Sequence, residues 1–373
     1  MTITDFQIEG YRSLKYLWLR PRRVNVVVGA NGCGKSNLYK ALKLLSSAAE
    51  GRLARSIAEE GGMPSVLWAG SRKGPAQLRL MAKLEGGLKY ELACGLPIPE
   101  DTSPDPDEPK QKNPFMFDPV VKEETVSFQD RDSKTILLSR KSLSITARDS
   151  KGKRSIYPSA ATESESVLSD LKEPHLFPEL SMLRQEFLRW RFYHRFRTDE
   201  ESQLRQIQIA TRTECLPHDG SYLASALKTI EWVGDFYGLR DAVNNAFPGA
   251  RLELKPREGN LELGLHMPEF SRAFNVRELS DGTLHYLCML AALMSPRAPS
   301  MMALNEPEVS MHPSLLRPLA DLVSAASKTS QIWVITHSFE LAKLISERCH
   351  VDPIELERVN GETKVKGQKL SPD

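Results

Sequence analysis

The sequence predicts an α/β fold with a mostly parallel central sheet, an antiparallel β-subdomain and a helical subdomain. Three observations predict it. The β-branched run VNVVVG leads through a glycine-rich turn into SNLYKALKLLSSA, whose apolar residues recur at helical spacing. Two apolar runs in the last third, SMMAL and QIWVI, suit central parallel strands, and the second ends in a polar turn before a helix. Elsewhere, pairs of short alternating segments read as antiparallel hairpins.

Taken in order, ITDFQIEG and LKYLWLR alternate polar and apolar residues as strands, and VNVVVG is the third. A helical stretch near GRLARSIAEE follows the first helix. QLRLMAKL and LKYELACG, separated by EGG, form a hairpin, because glycines supply the positive φ values of a tight turn. Residues 97–119 repeat proline among acidic and small polar residues, which removes backbone donors and leaves little to bury, so a mobile loop is expected. KEETVSFQD, TILLSR and SLSITARD are short strands, the last leading through an exposed basic turn, SKGKR. From about Glu163 to Phe247 helix should dominate, including FPELSMLRQEFLRW and DGSYLASALKTIEWVGDFYGLRDAVNNAF, the second with Asp219 as its cap. RLELKP and LELGLHM make another hairpin. Residues 1–96 and 267–373 are thus expected to form the core, with 120–266 an inserted β and helical lobe.

Composition narrows the function classes. The 373 residues can bury a substantial core without staples, and the five cysteines are scattered, odd in number and form no CxxC pair. Reduced thiols in the cytoplasm fit better than a disulfide framework, and a zinc site is not expected. The N-terminal segment alternates like a strand and has no cleavage site, so it is no signal peptide, and nothing approaches the roughly 20 apolar residues of a membrane span. A formal charge of +2 requires any nucleic-acid surface to be local.

Four constellations carry chemistry. Gly29, Gly34, Lys35 and Ser36 stand in the spacing GxxxxGKS between strand and helix. Glycines let amides curl around a β-phosphate, Lys35 reaches the β- and γ-phosphates, and the Ser36 hydroxyl meets Mg2+ at a helix N-terminus. In VRELSDGTLHYLCMLAALM, Ser280, Asp281 and Gly282 precede an apolar helix, which makes an anion site or simply a helix cap. SMMAL ends in Asn305 and Glu306, at the edge where an open α/β sheet faces its ligand. QIWVI ends in Thr336, His337 and Ser338; a lone histidine there is more often structural than catalytic.

The order of these motifs resembles the nucleotide-binding P-loop NTPase head of ABC-type ATPases, specifically the SMC and RecF branch. IEGYRSLK is similar to that branch's first strand and turn, and the chain is most like RecF-like ATPases loosely filed with the AAA family. The resemblance implies that Gly29, Ala30, Asn31, Gly32, Cys33, Gly34, Lys35 and Ser36, with Asn37, bind ATP and that Ser36 and Asn305 serve Mg2+. It implies Glu306 as the group polarising the attacking water and His337 as the switch histidine. Ser280 to Gly282 would complete a partner's phosphate site in an ATP-sandwich homodimer, and Arg12 and Ser13 would lie near the nucleotide. Two departures stand out: the chain lacks long coiled-coil arms, and it ends soon after ITHS, where some related ATPases carry a nuclease. The Q-loop glutamine has only Gln77 and Gln129 as candidates.

Asn305 stands where the resemblance leads one to expect a metal-holding aspartate, although RecF-like ATPases also tolerate LNEPE at this place. An amide keeps one acceptor oxygen, loses the charge and adds an NH2 donor, so weakened rather than abolished hydrolysis is expected, since Lys35, Ser36, Glu306 and His337 remain. Residues 183–205 concentrate Arg184, Arg189, Arg191, Arg195 and Arg197 with Trp190, Phe192, Tyr193 and Phe196. They read equally as a single-strand DNA surface and as a core-facing aromatic stripe. Two functions follow: a Mg2+-dependent ATPase serving DNA maintenance or defence, or a non-hydrolytic switch presenting a surface to a separate effector protein. A membrane transport ATPase is disfavoured.

Overall fold

The computed structural model describes residues 1–71, 76–97, 114–130, 133–157, 162–170 and 173–368. Most of the expected proline-rich loop, residues 98–113, lies outside them. The chain forms two compact units, one of Met1–Pro21, Ala30–Arg189 and Leu356–Asp373, the other of Arg22–Gly29 and Trp190–Glu355. Among the described residues no helix is long and apolar enough to cross a membrane.

The first stretch forms β1 (Ile3–Tyr11), β2 (Leu14–Leu19) and β3 (Val24–Gly29), followed by α1 (Lys35–Glu50) and the short α2 (Leu53–Glu59) and α3 (Met63–Val66). Then come β4 (Gln77–Leu84), β5 (Leu88–Gly95), β6 (Val120–Gln129), β7 (Lys134–Lys141), β8 (Ser144–Arg148), β9 (Arg154–Ile156), α4 (Val167–Asp170) and α5 (Pro178–Leu188). All of these except β3 belong to the first unit, where the strands make one antiparallel sheet in the order β2-β1-β4-β5-β6-β7-β8-β9. The period-2 burial of β1 and β4 places Ile8 opposite Leu80 on the apolar face. Helix α1 packs on α5, and the Ser46 hydroxyl donates to Phe187 O at 3.0 Å. SKGKR is the turn between β8 and β9, its amides at Lys151 and Lys153 satisfied by Asp149 Oδ1.

The remaining chain forms β10 (Arg191–Tyr193), β11 (Gln208–Ile209), α6 (Leu223–Val233), α7 (Phe236–Ala246), β12 (Arg251–Arg257), β13 (Asn260–His266), β14 (Phe274–Asn275) and α8 (Asp281–Leu293). It ends with β15 (Met301–Asn305), α9 (Leu316–Ala326), β16 (Gln331–Ile335), α10 (Phe339–Cys349), β17 (Ile354–Val359) and β18 (Glu362–Val365). In the second unit β10-β15-β16-β3 pair in parallel, as the apolar runs predict. Every residue of β15 and β16 is buried, and α8 is buried almost all round, so both lie inside one core with α6, α7, α9 and α10. Strands β12 and β13 are the expected hairpin. Asn360 and Gly361, both at positive φ, make the two-residue turn that joins β17 to β18.

Three expectations within the helical stretch fail. Helix α5 stops at Leu188, and residues 189–222 hold two short strands, a 3-10 turn and loops, because Arg191–Tyr193 pair with Met302–Leu304 of β15 instead of continuing the helix. The long helix expected after Asp219 breaks at Gly234, where the Asp235 side chain accepts from Gly238 N and starts α7. Asp219 caps nothing: its Oδ1 accepts from the amide and hydroxyl of Ser221, and α6 begins after Tyr222 in a left-handed conformation.

Candidate nucleotide site and its acidic corner

Chain connectivity carries β3 of the second unit into the glycine-rich loop and α1 of the first. Ala30, Asn31, Gly32 and Ser36 are exposed, whereas Cys33, Gly34 and Lys35 are buried. Gly32 (φ +76) has open space where a Cβ would stand, and Gly34 (φ +107) does not: a Cβ there would meet Thr363 Oγ1 at 2.2 Å. Thr363, fully buried, donates to Cys33 O at 2.7 Å and shares a 2.7 Å hydrogen bond with the Ser13 hydroxyl, which accepts from Asn37 Nδ2 at 2.9 Å. Lys35 is 3% exposed and donates to Ala30 O at 3.0 Å, so its ammonium lies folded into the loop. An open cradle at Gly32, a buried ammonium and the amides of a 16-residue helix's first turn fit a polyphosphate, and the exposed Ser36 hydroxyl at that turn fits its cation.

Arg12 stands beside this loop at φ +49, its guanidinium 2.5 Å from Glu60, which also accepts from the Tyr11 hydroxyl. A cavity of about 360 Å³ opens here, lined by Arg12, Ser13, Gly32, Asn37, Trp68 and Arg358 among others. Neither Gln77 nor Gln129 lines it; Gln77 accepts from Arg79 on the antiparallel sheet. Thr363, Glu60 and Trp68 carry no sequence signal of their own.

The acidic corner lies wholly in the second unit. Asn305 closes β15, and Glu306 turns the chain at φ +53 with its amide donating to Ile335 O at 2.7 Å. Glu306 Oε1 then sits 3.0 Å from His337 Nε2, with both side chains partly open to solvent. What aims the histidine is Glu308: its Oε1 accepts from the Thr336 hydroxyl (2.5 Å), His337 N (2.9 Å) and Ser338 N (3.1 Å), and the Ser338 hydroxyl caps α10. One carboxylate therefore fixes the end of β16 and the start of α10. Asn305 is 2% exposed; its Nδ2 meets His194 Nδ1 at 2.6 Å, and its Oδ1 has no hydrogen-bond partner among the described residues. That orphaned acceptor fits a hydrated cation.

Ser280 caps α8, its hydroxyl accepting from Thr283 N at 3.2 Å. Gly282 is required by closeness, since a Cβ would stand 2.4 Å from Ser310 O. Asp281 pairs with Arg205 at 2.8 Å, and the same guanidinium donates to the carbonyls of Val276, Arg277 and Leu279 at 3.2, 3.0 and 2.8 Å. Arg205 thus props the loop before the helix. His285, one turn further, hydrogen-bonds the Pro307 backbone, and burial lowers its pKa to about 4, so it is neutral at pH 7. The helix start and the turn after Glu306 are in this way packed together.

The aromatic stripe does not form a stacking platform. Trp190, Phe192, Tyr193 and Phe196 are all buried, with the Tyr193 hydroxyl bonded to Leu216 O, and Arg197 pairs with Asp199 and Glu201. Packing, not base stacking, accounts for these rings.

The family model described as "AAA domain, putative AbiEii toxin, Type IV TA system" matches residues 24–85 and 124–342. No protein of curated function matches the sequence. Among solved structures, an SMC head bound to the C-winged helix domain of ScpA is similar with a TM-score of 0.50 and 18% identity, covering 98% of this chain and 97% of that one. The SMC head domain from Thermotoga maritima gives 0.46 and 15%, over 99% and 100%. An Smc head with an extended coiled coil, bound to the C-terminal domain of ScpA from Pyrococcus furiosus, gives 0.49 and 17%, over 97% and 95%. At such identities the likeness is one of fold alone, and it rests on the first of the three. With the family model matching most of its length, the chain belongs to the AbiEii-like AAA ATPase family and has the P-loop head fold of SMC- and RecF-like ABC-type ATPases.

Proposed function

We propose that the chain binds Mg2+ and ATP and hydrolyses ATP slowly, as a homodimer closed around two nucleotides. The observation that carries this reading is the Glu306–His337 pair at 3.0 Å, aimed by Glu308 at the carboxyl edge of a parallel sheet. In it, Glu306 orients and polarises the water that attacks the γ-phosphorus, His337 contacts the γ-phosphate, and Lys35 neutralises the β- and γ-oxygens. Magnesium, when bound, would supply charge neutralisation on those phosphates, and Ser36 and Asn305 are the residues that would hold it. Gly29 to Gly34 and Asn37 cradle the phosphates, Arg12 and Ser13 border the nucleotide, and Ser280 to Gly282 serve the partner's nucleotide.

Phosphate release by the wild type, lost in Glu306→Gln together with accumulation of ATP-bound dimers on sizing chromatography, is the expected result. No release from the wild type, with nothing changed by Glu306→Gln, would sink the hydrolytic reading. Asn305 favours a second reading, a non-hydrolytic switch whose ATP-bound dimer presents a surface to a separate effector; it predicts ATP-dependent dimers without turnover. The resemblance to RecF-like ATPases motivates a role in defence against foreign DNA in the cytoplasm, and DNA maintenance is the alternative within the same mechanism. Since the rings at 190–196 are buried, a DNA partner would have to be held by basic groups such as those of the 150–154 turn.

A further inference from the structure

Where the resemblance leads one to expect a carboxylate, this chain pairs an amide with an imidazole from the neighbouring strand. Parallel pairing sets Tyr193 opposite Leu304, so the next residues, His194 and Asn305, emerge side by side from β10 and β15. Their side chains meet at 2.6 Å, amide nitrogen to Nδ1. A primary amide can sit in two orientations that differ by a flip and offer opposite chemistry, an acceptor in one and a donor in the other. An imidazole accepting through Nδ1 permits only one of them, with Nδ2 toward the ring and Oδ1 away from it. Oδ1 is then buried with no protein partner among the described residues. Left dry, such an acceptor forfeits its hydrogen bond to water without compensation, so its orientation makes sense only if something hydrated or charged meets it.

We propose that His194 is a positioning residue that locks Asn305 with its carbonyl oxygen outward, as the acceptor for the hydration shell of the nucleotide-bound divalent cation. This rests on the ATP reading above. Orientation replaces part of what an aspartate supplies by charge. The pairing also explains why the histidine matters for an amide and not for a carboxylate: both oxygens of an aspartate accept, so a flip changes nothing.

Two measurements test this. In the nucleotide-free protein at mildly alkaline pH, nitrogen NMR of labelled histidines, assigned with His194→Ala, should find the His194 proton on Nε2; a proton on Nδ1 would reverse the amide and overturn the proposal. Mn2+ binding, followed by electron paramagnetic resonance with a non-hydrolysable ATP analogue, should weaken about tenfold in His194→Ala, while affinity for the analogue in EDTA is unchanged. In an Asn305→Asp background the same His194→Ala change should have no effect. Unaltered Mn2+ affinity in His194→Ala, or an equal loss in both backgrounds, overturns the positioning role. If the wild type binds no analogue at all, the ATP reading falls instead, and the tautomer still decides the amide's orientation.

Discussion

Two carboxylate clusters, one in each unit, show how differently the same side chain is used. Glu124, on β6, is fully buried and accepts from the Tyr90 hydroxyl (3.0 Å), the Ser166 hydroxyl (2.5 Å) and Val167 N (3.0 Å), with the Arg140 guanidinium 3.9 Å away. Burial raises its pKa even against those partners, and its oxygens have been spent on tying the sheet to α4. Glu306 is 28% exposed, has one side-chain partner, and sits on a backbone at positive φ that costs roughly 1–2 kcal/mol for a residue with a Cβ. A carboxylate with unspent lone pairs on a strained turn is suited to reaction, and a saturated one to architecture.

The same substitution should therefore fail in opposite ways at the two sites. Glu306→Gln should lower turnover by about 10²–10⁴ and shift the urea midpoint little, as measured by phosphate release and denaturation. Glu124→Gln puts an NH2 donor in place of one of the two oxygens, facing either the Tyr90 and Ser166 hydroxyls or Val167 N; it should cost on the order of 3 kcal/mol in urea denaturation while turnover per folded molecule is kept. A stable Glu124→Gln would erase the contrast.

His285 tests the second unit by pH. Its folded pKa, about 4, lies below the ordinary value of 6.5, so the neutral form is favoured by the fold. Its contribution is complete above pH 6.5 and is lost as pH falls toward 4, reaching about 3 kcal/mol. The stability difference between wild type and His285→Gln should narrow over that window, as read from unfolding midpoints at several pH values. Smaller in effect, Glu308→Ala frees the 336–338 turn; turnover should fall about tenfold to a hundredfold with ATP affinity unchanged. If affinity falls and turnover does not, Glu308 belongs with Glu124.

Much of this was legible because it is local. The run from β3 into α1 and the ends of β15 and β16 each declare themselves within a few residues, and the Ser280 cap needs only Thr283. What stayed hidden depends on pairing across the chain. Glu308 is just the last letter of NEPE until its contacts at 336–338 are seen, and His194 lies 111 residues before Asn305. WRFY gave no period that separates strand from helix, and β15 settled it by offering a free edge to Arg191–Tyr193. The break at Gly234 and the Asn360–Gly361 turn did have sequence signals, a glycine followed by a capping aspartate and an Asn-Gly pair.

The hydrogen bond from Thr363 to Cys33 O closes a loop of 330 residues. During synthesis the glycine-rich segment leaves the ribosome well before the side chain that fits against Gly34, which follows 330 residues after Cys33. Nascent chains thus carry an unfinished glycine-rich loop until Thr363 follows, and the first unit, which takes in both Cys33 and Thr363, can close only then.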